Sequence, residues 1–332
     1  MKPSPARVSP AALGVLVEHA VLAPSSHNTQ PWRFRVESGA IHLYADRLRA
    51  LPVNDPQDRE LTISCGCALM NLRVAAARER LATSVRLLPD TGAPDLLASL
   101  DFGPLPVDAT VAAEDALFPG IALRRTYRHG FEPVPVAPAA LEAMIDAAQA
   151  EGAELRLVRA EPLHSQLAAL VAEGDACLWD DPRWRRELAM WMHPTRDGDG
   201  LAVPDLLARP VQAVVRSVDL GVGIAARDRH FVEASPLIAA LLTEGDDERS
   251  WLAAGQALQR ALLVGAVLGL QASYLSQPCQ VPALRERLRV LLGNRAHPQL
   301  LLRVGVPSGA LPPHTPRRRI VAVLDAPHDP VA

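Results

Sequence analysis

The chain has 332 residues, 49% of them hydrophobic and 21% charged, with a formal charge of -3. That composition suits a globular protein with room for two core-bearing units or one large domain, stabilised without disulfides or metals. Apart from Arg317, Arg318 and Arg319 there is no block of like charge, which argues against a nucleic-acid partner; no run reaches the roughly 20 apolar residues of a membrane span, and the N-terminus lacks an apolar signal core, so a cytoplasmic location is expected.

The first predicted element is a helix that opens at Pro10, behind Ser9, and carries apolar residues at helical spacing to Ala20. A polar loop follows, Ala23-Pro-Ser-Ser-His-Asn-Thr-Gln-Pro-Trp32. Its prolines fix the backbone while small side chains present donors and acceptors. A capped helix end would need fewer such groups, and their density favours a loop that faces a ligand. Next come a short strand, Arg33 to Val36, and a long helix around Gly66-Cys-Ala-Leu-Met-Asn-Leu-Arg-Val-Ala-Ala-Ala77. That helix is apolar nearly all round and rich in Gly and Ala, the signature of a buried helix in close contact with another. Cys65 and Cys67, two apart on it, face different ways and suit neither a disulfide nor a metal. With Cys177 and Cys279 they read as reduced, buried thiols. Strand-like residues recur from Leu96 to Phe102.

Leu123-Arg-Arg-Thr-Tyr-Arg-His-Gly-Phe131 comes next, with Glu132 its one nearby acid. Arginine forks in such excess suit a phosphate or an electron-rich carbonyl edge. A second helix opens at Pro138, and Pro138-Ala-Ala-Leu-Glu-Ala-Met-Ile-Asp-Ala-Ala148 matches the helix at Pro10. A strand at Leu155 to Val158 follows it. A second long apolar helix lies within Trp251 to Leu270, where Gly255-Gln-Ala-Leu-Gln-Arg-Ala-Leu-Leu-Val-Gly-Ala266 echoes the run at Gly66. Strand-like residues at Leu300 to Val306 come next, and Pro316-Arg-Arg-Arg319 precedes the apolar Ile320 to Leu324. A solvated charge cluster is the commoner fate of such a run.

The chain thus contains two copies of a helix–strand–long helix–strand unit. The boundary lies near residues 104–121, which gives halves at 1–110 and 111–332. Only the first copy has the Leu22 to Trp32 loop. Only the second has a large insertion, about residues 160–249, with Trp179, Trp184, Met190, Trp191, Met192 and the turn-rich Thr195-Arg-Asp-Gly-Asp-Gly200. It is read as a lid or as a satellite core. Other chemistries lack their motifs. There is no Gly-rich phosphate loop beyond Gly221-Val-Gly223 and no G-x-S-x-G elbow, and His164, His193, His230 and His297 lack metal-ligand spacing, so no metal is expected.

In combination the polar loop, the arginine run and the closing arginines resemble the nitroreductase-like FMN flavoproteins, and among them the Acg family. The likeness covers nearly the whole chain and extends to Asp58-Arg-Glu-Leu-Thr-Ile-Ser-Cys-Gly66, Asn71-Leu-Arg-Val-Ala75 and Leu301-Leu-Arg-Val-Gly-Val-Pro307. It implies an α+β nitroreductase-like fold in which two degenerate copies mimic the usual homodimer, with a lid inserted in the second. One FMN site would survive, because the polar loop and the arginine run come from different copies. By resemblance Arg124 and Thr126 hold the ribityl-phosphate arm, Arg317, Arg318 or Arg319 closes on the phosphate, and Arg125 belongs to the same cofactor site. Arg128 sits by the N1/O2 edge of the ring. Pro24, Ser25, Ser26, Asn28 and Gln30 approach the ring from the other copy, and backbone N–H groups at Ser276 and Gln277 reach N5. The flavin carries the chemistry, so no catalytic side chain is expected. NAD(P)H would supply hydride to N5, and a quinone or nitroaromatic would take the electrons. A lid-covered protein that stores or sequesters FMN is the alternative. The fused chain is expected to act as a monomer, with further dimerisation open.

Overall fold

The computed structural model describes residues 10–37, 39–104, 109–158, 160–194 and 197–325. Ser9, expected ahead of the first helix, and Thr195 and Arg196 of the turn-rich stretch lie outside these. The first half runs α1 (Pro10–Ala20), β1 (Trp32–Glu37), β2 (Ala40–Ala45), α2 (Arg59–Arg78), β3 (Leu81–Leu87) and β4 (Leu96–Pro104). Two short helices, α3 (Ala109–Asp115) and α4 (Phe118–Leu123), lead into the arginine run. The second half has α5 (Pro138–Gln149), β5 (Glu154–Val158), then α6 (Leu163–Asp180), α7 (Pro182–Trp191), α8 (Asp205–Ser217) and α9 (Gly221–Glu233). It continues with β6 (Ile238–Thr243), α10 (Glu248–Val267), β7 (Gln271–Tyr274), α11 (Gln277–Gln280), α12 (Pro282–Leu291) and β8 (His297–Gly305). A two-residue strand, β9 (Leu324–Asp325), follows.

The sheets repeat one plan. The first is ordered β3-β4-β2-β1-β9 and the second, read from its β7 edge, β7-β8-β6-β5. Each is antiparallel throughout apart from the β1–β9 pair, which is parallel. The long helices α2 and α10 pack on each other between the sheets. Their crossing point is Gly66 against Gly255: a Cβ on Gly66 would lie 2.5 Å from the Leu252 carbonyl oxygen, and one on Gly255 would lie 2.1 Å from that of Ile63. No larger residue fits this backbone-to-backbone contact. A single apolar cluster surrounds it, from Leu13, Leu16 and Trp32 to Leu241, Leu252 and Leu302. Local signals set the helix ends. The Asp247 side chain accepts from the Ser250 N–H at 2.8 Å to cap α10, and the Asp55 side chain accepts from the Leu61 N–H at 2.9 Å in the first turn of α2.

The structure corrects three expectations. The insertion is narrower than 160–249, because residues 238–243 form β6, a central strand buried along its whole length. A continuous apolar run has no period to mark it as a strand, which is why it was merged with the insertion. The C-terminal segment does not stay with the second half: β9 pairs with β1, Phe34 opposite Leu324. Cys65, Cys67 and Cys279 are free and buried, but Cys177 is exposed on α6. Among the described residues no helix is long and apolar enough to cross a membrane, and no cluster of metal-ligating side chains occurs.

If the α2–α10 crossing organises both halves, Gly255→Val should cost about 3 kcal/mol or more through overpacking. Urea unfolding should show both halves losing stability together. Unchanged midpoints would refute the close approach.

Candidate functional site

The arginine run emerges from α4 and lies along the open edge of β7. Thr126 bridges Ala272, and the Tyr127 N–H donates to the Ala272 carbonyl at 2.9 Å. The Arg125 N–H donates to the Gln271 side chain at 2.7 Å. Further along, Arg303 of β8 donates to the carbonyls of His129 and Tyr127 and stacks between Phe131 and Phe231. These contacts fix the backbone of the run and leave several of its side chains to point elsewhere.

The polar loop of the first half meets this run. Arg124 donates to the Leu22 carbonyl at 3.3 Å. Arg317 donates to the carbonyls of Val21, Leu22 and Ala23 and to the side-chain oxygen of Asn28. The loop itself is strained. His27, Asn28 and Gln30 have φ of 50°, 55° and 52°, a region costly for residues with a Cβ and concentrated at functional sites.

The electrostatics at this junction are unbalanced. Among the described residues, Arg124, Arg125, Arg128 and Arg317 form no ion pair with a carboxylate. Burial lowers the Arg317 guanidinium to about 9, and Arg124 and Arg125 add repulsion. Arg125 is lowered by burial and by Arg124. Arg128 is exposed to solvent, yet surrounding protein desolvates it enough to lower its pKa. Three buried polar atoms here lack a partner: Arg124 Nε, the Tyr274 hydroxyl and His27 Nδ1. Burial raises the Tyr274 hydroxyl pKa, while Arg124, Arg128 and Arg317 pull it back. His27 is driven down to about 4, first by burial and then by Arg128. The result is a group of cations without counter-charge, chemically suited to an anion.

The expected residues are divided in their use. Arg124, Arg128 and Arg317 gather near Tyr274, with Asn28 held by Arg317, whereas Arg125, next to Arg124, donates to the carbonyls of Pro312, Ala122 and Arg124. Arg318 is spent on Asp46 at 3.3 Å and on the Gln30 and Ala322 carbonyls, and Arg319 is exposed. Gln30 is fully buried, donating to the Gly198 carbonyl and accepting from the Arg318 N–H. Ser25 accepts from the Gln30 N–H, and Ser26 donates to Glu60 at 2.6 Å. Pro24 opens the loop. Ser276 and Gln277 begin α11, two residues beyond Tyr274. Sequence reasoning missed Tyr274 and His27. Tyr274 could have been found as the polar tip of the strand that leads to Ser276, and His27 as the loop's one imidazole.

The insertion supplies both a satellite core and a cover. Trp179 and Trp184 pack edge-to-face with centroids 5.5 Å apart, within a cluster that includes Leu178 and Val215. Met190 is 64% exposed and belongs to neither. The turn at Gly198–Gly200 docks on the polar loop, since Asn28 donates to the Gly200 carbonyl and Asp199 pairs with Arg49.

The counterpart position in the other half is different. β3 corresponds to β7, and a groove of about 420 Å³ lies against it, lined by Arg73, Thr83, Val85, Glu114, Glu151 and others. Arg73 and Arg260 are both paired with Glu114 and Glu151. These charges cancel, so no anion hole remains there.

No family model matches the chain. Two Mycobacterium tuberculosis proteins provisionally named NAD(P)H nitroreductases, Rv3131 and acg, are 33% and 30% identical to it over 317 and 313 residues. The alignments cover 93% of this chain and 90% and 93% of theirs. An uncharacterized protein of the same organism, Rv3127, is 30% identical over 333 residues, 93% of this chain and 92% of its own. The fold is thus the mixed α+β fold of the nitroreductases. Within that class the chain belongs to the family of acg and Rv3131. Among solved structures, an iodotyrosine deiodinase bound to FMN and 3-iodo-L-tyrosine matches with 15% identity and a TM-score of 0.41, covering 61% of this chain and 95% of its own. A Bacteroides fragilis nitroreductase with bound FMN matches with 13% identity and a TM-score of 0.37, covering 59% and 91%. Likeness this slight carries no argument about the site.

His27 gives a pH test. Its folded pKa of about 4 lies below the ordinary 6.5, so between these values the unfolded chain binds a proton that the folded chain refuses. Stability should therefore fall as pH drops from about 6.5 towards 4. His27→Gln should flatten that part of the stability–pH curve in urea titrations; an unchanged slope would show that His27 is free to protonate.

Proposed function

We propose that the chain binds one FMN at the arginine cluster and acts as an NAD(P)H-dependent flavin oxidoreductase. The observation that carries this reading is the group of four arginines, drawn together from two distant stretches of chain, without a carboxylate among them. The orphaned Arg124 Nε and Tyr274 hydroxyl fit a phosphate-bearing ligand, because both would gain a partner. Arg124, Arg125 and Arg317, with Thr126, would hold the phosphate arm. Arg128 would face the ring edge, where a fixed cation favours negative charge. Asn28 would be oriented by Arg317. FMN, when bound, supplies hydride chemistry between a reduced nicotinamide and an electron-poor acceptor such as a quinone or nitroaromatic. The protein's part is to bind, to orient and to exclude water.

The two halves would be degenerate copies that stand in for a homodimer within a single chain, working as a monomer on a small-molecule acceptor. The shared strand order supports this, and the neutralised groove at β3 explains a single site. A second reading, storage or sequestration of FMN, is favoured by one observation: the insertion is bonded to the polar loop at Gly198 and Gly200. A cover so attached would keep bulky partners from the ring.

The purified protein should be yellow, or take up added FMN. Arg124→Ala and Arg317→Ala should each weaken FMN binding by roughly tenfold to a hundredfold in a fluorescence-quenching titration. A colourless protein that ignores added FMN would refute the proposal. Anaerobic mixing with NADPH or NADH separates the readings: rapid bleaching supports the reductase, and a persistent oxidised spectrum that bleaches with dithionite supports sequestration.

A further inference from the structure

Two carboxylates of the insertion converge on one residue of the site. Gln277 donates through its side-chain nitrogen to Asp175 of α6 at 3.1 Å and to Asp228 of α9 at 3.2 Å. α6 comes so close to this residue that a Cβ on Gly174 would sit 2.8 Å from the Gln277 Cβ. Asp175 is 4% exposed, and both its Oδ2 and the Gln277 Oε1 are buried without a partner. Two buried oxygens at this junction thus lack a donor. A proton on Asp175 supplies it and removes one of two like charges.

We propose that Asp175 and Asp228 form a proton-sharing latch that clamps the inserted helices α6 and α9 onto Gln277, and that loss of the shared proton loosens the clamp. As a control on flavin access this rests on the FMN reading above, but the latch itself does not. The surroundings leave the second negative charge poorly compensated. On α9, Arg227 pairs with Asp228 at 3.0 Å. From β8, Arg303 faces Asp228 but is committed to the Tyr127 and His129 carbonyls. On the α12 side, Arg287 is paired with Glu173. Burial, then repulsion from Asp228, lifts Asp175 to about 7, against the opposing pull of Gln277 and Arg227. The titration therefore falls in the neutral range. Below it the carboxyl is neutral and the clamp is closed; above it two carboxylates held on the same amide nitrogen repel each other.

Hydrogen–deuterium exchange of the full chain from pH 6 to 8.5, corrected for intrinsic rates, tests this with or without FMN. Protection of α6, α9 and α11 should fall as pH rises through about 7, by roughly tenfold, while α2 and α10 stay constant. Asp175→Asn, which mimics the neutral acid, should keep those helices protected at every pH. Asp228→Asn should move the midpoint lower, since the like charge is gone. Constant protection in the wild type, or a transition that persists in Asp175→Asn, would overturn the latch. Where FMN is bound, its release rate should follow the same curve in the wild type. A protein that binds no FMN yet shows the exchange transition would sink the flavin reading and leave the latch standing.

Discussion

Everything in this molecule depends on the approach of α2 to α10 at Gly66 and Gly255. Backbone meets backbone there, with no side chain between, so the two sheets are held at a fixed distance on either side. That spacing brings the loop after α1 within reach of the run after α4. A wider crossing would leave Arg124 short of the carbonyl at Leu22. Core packing and the candidate site are therefore one construction, and small residues at the crossing serve both.

The charges show how the two sides of that construction diverged. On one side four arginines face each other without acids, an arrangement that lowers stability unless a ligand compensates it. On the other, Glu151 stands where the helix alignment places Ala23 of the first half, and with Glu114 it neutralises Arg73 and Arg260. The same scaffold thus supports a group of cations that needs an anion and a groove that needs nothing. Holding His27, Asn28 and Gln30 at positive φ adds to the cost on the side of the arginines. Such strain is tolerated where surrounding structure overdetermines it, and here the insertion does so through Gly198 and Gly200.

Much of this was legible in the sequence. Pro10 and Pro138 mark two helix starts, and Gly66 and Gly255 mark two central helices, because helix capping and close packing leave strong local traces. The arginine run was legible as charge without counter-charge. β6 was not, because a strand buried on both faces has no alternation, and β9 is too short to have any. The choice among Arg317, Arg318 and Arg319 was also closed to sequence, since adjacent residues differ only in where a particular backbone turn aims them. Tyr274 and His27 matter through burial, which depends on contacts far apart in the chain.

The return of the C-terminal segment to β1 has a consequence for biosynthesis. Arg317 lies beyond both central helices and, among the described residues, eight of nine strands, yet it clasps the carbonyls of Val21, Leu22 and Ala23 in the polar loop. A chain made from its N-terminus can pack α2 on the first sheet early, and α10 on α2 later. Until residue 317 emerges, however, the carbonyls of Val21 and Ala23 lack the guanidinium that the finished fold gives them. The clasp of Arg317 on the loop is thus among the later contacts to form, after both central helices are in place.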